Sequence, residues 1–317
     1  FSGNIMKKPF LSVVIPVYNE QESVRPLFEE LSNVSDSLVK EKISSYEVIF
    51  VNDGSRDKTQ LALEELKNSK IKIIQLRRNF GQTAALKAGF DLSKGDIIVT
   101  MDGDMQNDPA DIPRLIEALT PRYDVISGWR YARQDKLGKK LSSRMMNNLR
   151  KGIIGDNLHD YGCSLKIYRR ECLADLELYG ELHRYITAYL HIKGYKIGEI
   201  KVNHRPRTRG KTKYNFSRGL NGILDLFYLS FWSSYAGRPL HFFGRLGIYQ
   251  SVLAGIIVVE QIIKAILVNE LRFGPLLALA SMLAVTGLLF IIFGFLSEML
   301  SRMYLRESKI YSIRKVI

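Results

Sequence analysis

Short apolar runs alternate with amphipathic stretches between residues 11 and 203. The apolar runs predict five strands, at residues 11–18, 47–52, 71–76, 97–101 and 125–128. Helical periods fill the intervals, at residues 22–39, 57–68, 82–92 and 110–119. Such strand–helix alternation predicts an α/β domain with a doubly wound, Rossmann-like parallel sheet. In sheets of this kind ligands bind beyond the carboxyl ends of the strands.

The C-terminal third carries two apolar stretches, each about long enough to cross a bilayer. Residues 275–296 contain no charge, and residues 246–268 are largely apolar, interrupted near their end by Glu260, Gln261 and Lys264. Glu260 and Lys264 are four residues apart on a predicted helix and can neutralise each other. Three interpretations of this pair stay open: a snorkelling pair near the helix end, a contact between subunits, or part of a substrate pathway.

Basic residues flank both predicted spans and set the expected topology. They are Arg238, His241 and Arg245 before the first span, and Arg302, Arg306, Lys309, Arg314 and Lys315 after the second. Because Lys/Arg-rich flanks stay in the cytoplasm, both termini and the α/β domain are expected there, with only the turn at 269–274 outside. Pro16 interrupts the first apolar run, so no export signal is predicted. The expected location is the inner (plasma) membrane, crossed twice.

These patterns divide the chain into four regions. Residues 1–214 are the predicted α/β domain, and residues 1–5 at its start are interpreted as a remnant that is not part of the fold. Residues 215–240 are an amphipathic juxtamembrane segment, expected to lie in the membrane interface. Its large apolar side chains recur at helical spacing: Leu220, Ile223, Leu224, Phe227, Tyr228, Phe231 and Trp232. Residues 241–300 hold the two transmembrane helices, and residues 301–317 are a basic cytoplasmic tail.

The chain is strongly basic, with 46 Lys and Arg against 32 Asp and Glu and a net charge of +14. This balance favours anionic partners such as phosphates, a membrane surface or nucleic acid. Nine cations are concentrated between residues 201 and 245: Lys201, Arg205, Arg207, Arg209, Lys211, Lys213, Arg218, Arg238 and Arg245. They suit a phosphate ligand or a polybasic patch on anionic lipid. No nucleic-acid-binding module is recognisable, so nucleic acid is not an expected partner.

Several function classes lack their motifs. Cys163 and Cys172 make no disulfide framework, which fits a reducing compartment. The histidines lack the spacing of zinc ligands. No P-loop, GxGxxG fingerprint or GxSxG elbow occurs, which disfavours an NTPase, a nicotinamide enzyme and a serine hydrolase.

Polar residues follow four of the predicted strands. They are Asn19-Glu20, Asp53-Gly54-Ser55, Arg77-Arg78-Asn79 and Asp102-Gly103-Asp104. Asp102 and Asp104 flank a glycine directly after a strand, so both carboxylates can converge on one hard cation such as Mg²⁺ or Mn²⁺. An isolated Asp-x-Asp is usually only a turn. Beside three other polar strand ends, the functional interpretation is favoured.

Five ordered motifs resemble family 2 glycosyltransferases, in particular those that act on polyprenyl phosphates. The motifs are Pro16-Val-Tyr-Asn-Glu20, Val51-Asn-Asp-Gly-Ser-Arg-Asp57, Arg78-Asn-Phe-Gly-Gln82, Asp102-Gly-Asp-Met-Gln106 and Asp160-Tyr-Gly-Cys-Ser-Leu165. The resemblance spans about residues 11 to 300. It implies a GT-A fold, a divalent metal, a UDP-sugar donor and a polyprenyl phosphate acceptor.

The resemblance also implies roles for single residues. The donor-binding residues would be Pro16, Tyr18, Glu20, Asp53, Asn79, Gly81, Gln82 and Asp102. Asp104, with Asp102, would hold Mg²⁺ or Mn²⁺ against the diphosphate. Arg207, Gly210, Lys213 and Tyr214 match the family's basic segment, with Thr212 in place of its usual Ser. Arg207 and Lys213, together with Arg130 and Arg133, would bind the acceptor phosphate, and residues 139–154 are a further candidate for the acceptor groove.

Asp160 matches the position usually proposed as the catalytic base. A polyprenyl monophosphate is mostly dianionic at neutral pH, because its second pKa is about 6. We therefore expect Asp160 chiefly to orient the sugar or acceptor. The resemblance implies a single displacement with inversion. Glucose is the expected sugar, with aminoarabinose or an N-acetylhexosamine as alternatives. Gly287 and Gly294 share a helical face, which fits either a homo-oligomer or an intramolecular hairpin. Less favoured functions are a processive polysaccharide synthase and a non-catalytic membrane scaffold.

Overall fold

The computed structural model describes residues 8–66, 68–131, 158–174, 176, 178, 180, 182–206, 231, 235, 238–268 and 274–305. The chain divides into two compact units, residues 1–226 and residues 227–317. The first contains the sheet and the second contains the two long apolar helices.

The described part of the first unit forms a seven-stranded sheet in the order β3-β2-β1-β4-β6-β5-β7. Its strands are β1 (Phe10–Val17), β2 (Ser45–Asn52), β3 (Ile71–Gln75), β4 (Ile97–Thr100), β5 (Val125–Trp129), β6 (Lys166–Arg169) and β7 (Ile197–Lys201). The five predicted strands are confirmed to within one or two residues. The sheet is mixed, however, because β6 runs antiparallel between β4 and β5.

Helices cover both faces of this sheet. They are α1 (Val24–Glu41), α2 (Thr59–Glu64), α3 (Gln82–Leu92), α4 (Ile112–Ala118), α5 (Glu171–Ala174) and α6 (Ile186–Ile192), with 3₁₀ turns at Pro109–Asp111 and Leu182–Tyr185. On one face Val13 and Ile15 join a core that includes Leu27 and Leu31 of α1. On the other face Val14 joins a core that includes Leu86 of α3. Burial on both faces explains why β1 is a continuous apolar run.

The strand register brings the polar strand ends to one edge. Val17 of β1 pairs with Asn52 of β2, which in turn pairs with Gln75 of β3. β1 and β4 are also parallel neighbours. The residues that follow β1, β2, β3 and β4 therefore leave the sheet at the same edge, as the sequence pattern predicts.

The second unit contains α7 (Pro239–Val268) and α8 (Pro275–Leu305), both long and apolar enough to cross a membrane. The two helices pack closely through glycines. A methyl group added at Gly247 would lie 2.5 Å from the Gly287 carbonyl oxygen, and one added at Gly294 would lie 3.1 Å from Leu240 Cδ1. Both glycines of the predicted small-residue face thus contact α7 of the same chain, so the intramolecular hairpin accounts for them.

Glu260 and Lys264 form the predicted i,i+4 ion pair, with 2.5 Å between Lys264 Nζ and Glu260 Oε1. Both side chains are more than half exposed in the isolated chain. Of the predicted amphipathic segment 215–240, the structure describes Phe231, Tyr235 and residues 238–240. The rings of Phe231 and Tyr235 both pack against Phe242 of α7. The rest of that segment, residues 269–273 of the turn and the tail beyond residue 305 lie outside the described residues.

Candidate active site

A cavity of about 430 Å³ opens at the carboxyl edge of the sheet. It is lined by Pro16, Val17, Tyr18, Glu20, Asp53, Asn79, Gly81, Gln82, Asp102, Gly103, Asp104, His183 and Arg184. Every residue that the sequence analysis assigned to the donor or the metal is among them. His183 and Arg184, from the 3₁₀ turn Leu182–Tyr185, were not predicted to belong to the site.

Asp53 fixes the loop that closes one side of this cavity. Its carboxylate accepts hydrogen bonds from the backbone N–H groups of Phe80 at 2.7 Å and Gly81 at 2.9 Å. Gly54 has φ +64°, and a methyl group there would lie 2.4 Å from the carbonyl carbon of Arg78. The chain therefore needs glycine at position 54 for the two loops to meet. Asp53 both lines the cavity and holds its wall.

Asp102 and Asp104 are held by different neighbours. Gln82 Nε2 donates to Asp102 Oδ1 at 2.8 Å, and the backbone N–H of Gln106 donates to Asp104 Oδ1 at 3.1 Å. Burial, together with the nearby charge of Asp104, raises the pKa of Asp102 above its ordinary value. Two converging carboxylates of this kind favour a cation between them, because a cation relieves both the repulsion and the burial cost.

The donor set fits a divalent ion shared with a substrate. The described residues contain no group of three or more Asp, Glu, His or Cys side chains that would cage a metal alone. Mg²⁺ is commonly held by one or two carboxylates together with substrate phosphates. The pair Asp102 and Asp104 matches that pattern.

The glycine between these aspartates is sterically required. A methyl group at Gly103 would lie 2.6 Å from Val17 Cγ1 and 3.3 Å from the Pro16 carbonyl oxygen. Val17 lines the same cavity. An alanine at position 103 would therefore require Val17 or the loop itself to move.

Asp160 is bound bidentately by Arg130. Arg130 Nε lies 2.7 Å from Asp160 Oδ2 and Nη2 lies 2.9 Å from Oδ1, with both side chains largely buried. The backbone N–H of Gly162 also donates to Asp160 Oδ1 at 3.1 Å. Burial alone would raise the pKa of Asp160, but the hydrogen bonds and charge of Arg130 outweigh it and lower the pKa. Asp160 is therefore a weak base and a strong anchor for Arg130.

A second buried cation lies near this pair. Lys166 of β6 is 3% exposed, and its Nζ donates to the Tyr161 carbonyl oxygen at 3.2 Å. Burial lowers its pKa, partly offset by the charges of Asp160 and Asp102. Burial raises the pKa of the neighbouring Cys163 thiol to about 11, which excludes a reactive thiolate at neutral pH. Sequence reasoning missed Lys166 because β6 was not predicted.

His183 connects two walls of the cavity. Its Nδ1 lies 2.8 Å from Thr83 Oγ1 in the first turn of α3. Three further residues assigned to the acceptor phosphate, Arg133, Arg207 and Lys213, lie outside the described residues, as do residues 139–154. Of the predicted acceptor residues, Arg130 alone belongs to the part of the chain that the structure describes.

Comparison with known proteins identifies the family of this chain. The family model for Glycosyl transferase family 2 matches residues 12–177. The chain is 40% identical over 316 residues to the dodecaprenyl-phosphate galacturonate synthase of Rhizobium johnstonii, covering 96% of this chain and 92% of that enzyme.

Solved structures share the fold. Glucosyl-3-phosphoglycerate synthase of Mycobacterium tuberculosis, in complex with Mn²⁺, UDP and phosphoglyceric acid, aligns with a TM-score of 0.54 and 17% identity, covering 70% of this chain and 78% of that one. Its complex with Mn²⁺ and UDP-glucose aligns with a TM-score of 0.53 and 18% identity, covering 70% and 79%. With the family match and the extended relative, these findings show that the chain belongs to glycosyl transferase family 2 and is a GT-A glycosyltransferase of its polyprenyl-phosphate branch.

Proposed function

We propose that this enzyme transfers galacturonate from UDP-galacturonate to a polyprenyl phosphate at the cytoplasmic face of the inner membrane. The observation that carries the proposal is the cavity where Asp53, Asp102 and Asp104 converge at the carboxyl edge of the sheet. A site of this shape and charge suits a nucleotide diphosphate bound with a divalent ion.

The donor would occupy this cavity in an extended pose. Pro16, Tyr18, Glu20 and Asp53 suit the nucleoside, and Asn79, Gly81 and Gln82 close the same end. Asp104, helped by Asp102, would hold Mg²⁺ or Mn²⁺, which when bound neutralises charge on the leaving diphosphate. The Mn²⁺ complexes of the mycobacterial enzyme that shares the fold support this assignment.

The acceptor phosphate is proposed to bind beside Arg130. Asp160 engages Nε and Nη2 of that guanidinium and fixes its plane, so Arg130 can present its remaining N–H groups to a phosphate oxygen. Arg133, Arg207 and Lys213 would add charge around the same phosphate. An oxygen of the dianion attacks the anomeric carbon, the bond from that carbon to the diphosphate oxygen breaks, and UDP leaves with the electron pair. The configuration at the anomeric carbon inverts, and no base is required.

The sugar is the point where the proposal departs from the sequence analysis. Glucose was expected there, whereas the relative of 40% identity is a galacturonate synthase. A galacturonate donor carries one more carboxylate than a hexose donor. Arg184 lines the cavity and is the permanently charged cation among its lining residues, which supports an additional anionic group in the ligand.

The membrane arrangement is also part of the proposal. The catalytic unit, spanning about residues 1–214, would face the cytoplasm, together with the basic tail at 301–317. The segment 215–240 would lie in the interface, with transmembrane helices near 246–268 and 275–296. A homo-oligomer stays a prediction, as do the three interpretations of the Glu260–Lys264 pair.

A donor competition tests the choice of sugar. Purified enzyme with undecaprenyl phosphate and Mg²⁺ or Mn²⁺ receives UDP-galacturonate, UDP-galactose and UDP-glucose at equal concentrations. We expect kcat/KM for UDP-galacturonate to exceed the others by at least about tenfold, and chelation of the metal to abolish transfer. Preference for UDP-glucose would restore the original expectation and refute the galacturonate assignment, while the acceptor assignment would stand.

A further inference from the structure

The chain that leads into the basic segment is joined to the loop that follows the two aspartates. The backbone of His204 forms an antiparallel bridge with Asn107. The N–H of Arg205 donates to the Gln106 carbonyl oxygen at 2.9 Å. Just before His204, the N–H of Asn203 donates to Asp111 Oδ2 at 2.7 Å, and Asp111 is almost fully buried. Three successive residues thus bond to one short stretch of the metal-site loop.

Arg205 extends this connection through its side chain. Its Nη1 lies 2.7 Å from Glu30 Oε2 of α1, and its Nη2 lies 2.9 Å from Asp108 Oδ1. The guanidinium therefore spans two carboxylates from separate elements, a geometry that a planar fork provides and an ammonium does not. Asp108 is also tied to the backbone, since it accepts from the Ala110 N–H at 3.0 Å.

The loop held in this way shapes the metal site itself. Asn107 Oδ1 accepts from the backbone N–H of Asp102 at 3.0 Å and from Ser164 Oγ at 2.8 Å. Asn107 is 3% exposed. A displacement of the chain at Arg205 would therefore reach Asp102 through Asn107. On the other side, Arg207 follows Arg205 by only two positions in the sequence.

We propose that Arg205 is a positioning residue that fastens the start of the basic segment to the aspartate loop, so that the acceptor phosphate is presented in register with the donor diphosphate. The proposal rests on the proposed function in one respect, that Arg207 and Lys213 bind the acceptor phosphate. An ordinary surface ion pair contributes little. Here the pair is combined with two backbone connections to the same loop, which makes it a clamp between two substrate subsites.

The test compares Arg205→Gln and Arg205→Lys with Arg25→Gln in the full-length enzyme. Arg25 is a matched control because it is an arginine of α1, the helix that Arg205 contacts, and it pairs with Glu65 at 2.8 Å on the exposed surface. We expect Arg205→Gln to raise KM for undecaprenyl phosphate about tenfold, with KM for the sugar donor changed by less than about twofold. Arg205→Lys should be intermediate, and Arg25→Gln should match the wild type.

Hydrogen–deuterium exchange supplies a readout that does not need activity. In Arg205→Gln, peptides covering residues 102–108 and 203–206 should exchange faster together, and in Arg25→Gln neither should change. Faster exchange confined to 203–206, or Arg205→Gln kinetics equal to those of Arg25→Gln, would overturn the clamp. A rise in KM for both substrates together with a fall in Tm would also overturn the clamp, in favour of a merely structural role. Failure of the proposed function is separately visible, because the wild type itself would then make no lipid product, and the acceptor role of the clamp would fall with it.

Discussion

Asp160 is held by hydrogen bonds from the Arg130 guanidinium and from the backbone N–H groups of Arg130 and Gly162. A carboxylate in this setting is fully ionised at neutral pH and has little tendency to take a proton, because its pKa is lowered. We therefore propose that its chemical contribution is to orient Arg130. This agrees with an acceptor whose phosphate needs no base.

Asp160→Asn tests this role. The amide keeps the shape but removes the charge that holds Arg130, so we expect kcat to fall about 100-fold through misplacement of the guanidinium. Because Asp160 is already ionised well below neutral pH, the pH–rate profile between pH 6 and 9 should keep its shape. Asp91→Asn, which breaks the exposed Lys87–Asp91 pair, serves as control. Loss of one limb of the profile in Asp160→Asn would identify a true base instead.

Gly103→Ala tests the contact between the aspartate loop and the donor cavity. The added methyl would meet Val17 Cγ1 at 2.6 Å, so Val17 must move into the cavity or the loop must shift. We expect KM for the donor to rise about tenfold, within the 1–3 kcal/mol that overpacking typically costs. Combining it with Val17→Ala should recover most of the loss in steady-state kinetics. No recovery in the double variant would show that the constraint at Gly103 lies elsewhere.

At the scale of elements, five of the seven strands of the sheet could be predicted from the sequence and two could not. Strands β1 to β5 were predictable because their apolar runs are buried on both faces or stand between clear turns. β6 was not, since Lys166 and Arg169 occupy two of its four positions, and a buried lysine in a strand contradicts the usual pattern. β7 (Ile197–Lys201) alternates with a glycine and a glutamate and gave no run either. The position of the antiparallel strand β6 between β4 and β5 is set by tertiary pairing, which the local sequence does not reveal.

The packing of the helical hairpin predicts that alanine substitutions at two glycines of α7 have different effects on Tm. Gly247 faces the Gly287 carbonyl oxygen at a distance that excludes a methyl group, whereas Gly255 has no atom nearby. Gly247→Ala should lower Tm of the enzyme in detergent, because α7 and α8 must separate. Gly255→Ala should leave Tm unchanged or raise it, since alanine favours helix by about 1 kcal/mol over glycine. Equal effects at both positions would contradict the packing of α7 on α8.

At the scale of the whole molecule, the residues that line the cavity could largely be predicted from the sequence, whereas the contacts that hold its walls together could not. Asp53, Asp102 and Asp104 lie at strand ends, and a parallel sheet brings such ends together, so the cavity that they line could be predicted from the sequence. His183 and Arg184 reach it from a 3₁₀ turn about 80 residues after Asp104, with no local signal of their own. The Arg205 contacts with Glu30 and Asp108 likewise join distant parts of the chain.

The division of labour across the molecule has a simple physical basis. A soluble nucleotide sugar and a membrane-bound phosphate must meet at one carbon atom. In the proposed function, the acidic cavity with Asp102 and Asp104 would serve the nucleotide sugar, and Arg130 would serve the phosphate together with the basic residues that follow Arg205 in the sequence. Two apolar helices in the same chain would keep the catalytic unit at the surface where the lipid resides.

The most direct measurement is mass spectrometry of the lipid fraction after purified enzyme is incubated with undecaprenyl phosphate, UDP-galacturonate and Mn²⁺. We predict a single new lipid, heavier by one galacturonate residue, that is absent with a chelator and absent with Asp104→Asn. No lipid-linked sugar from any UDP-sugar donor, under conditions where the enzyme is folded and binds UDP, would contradict the account.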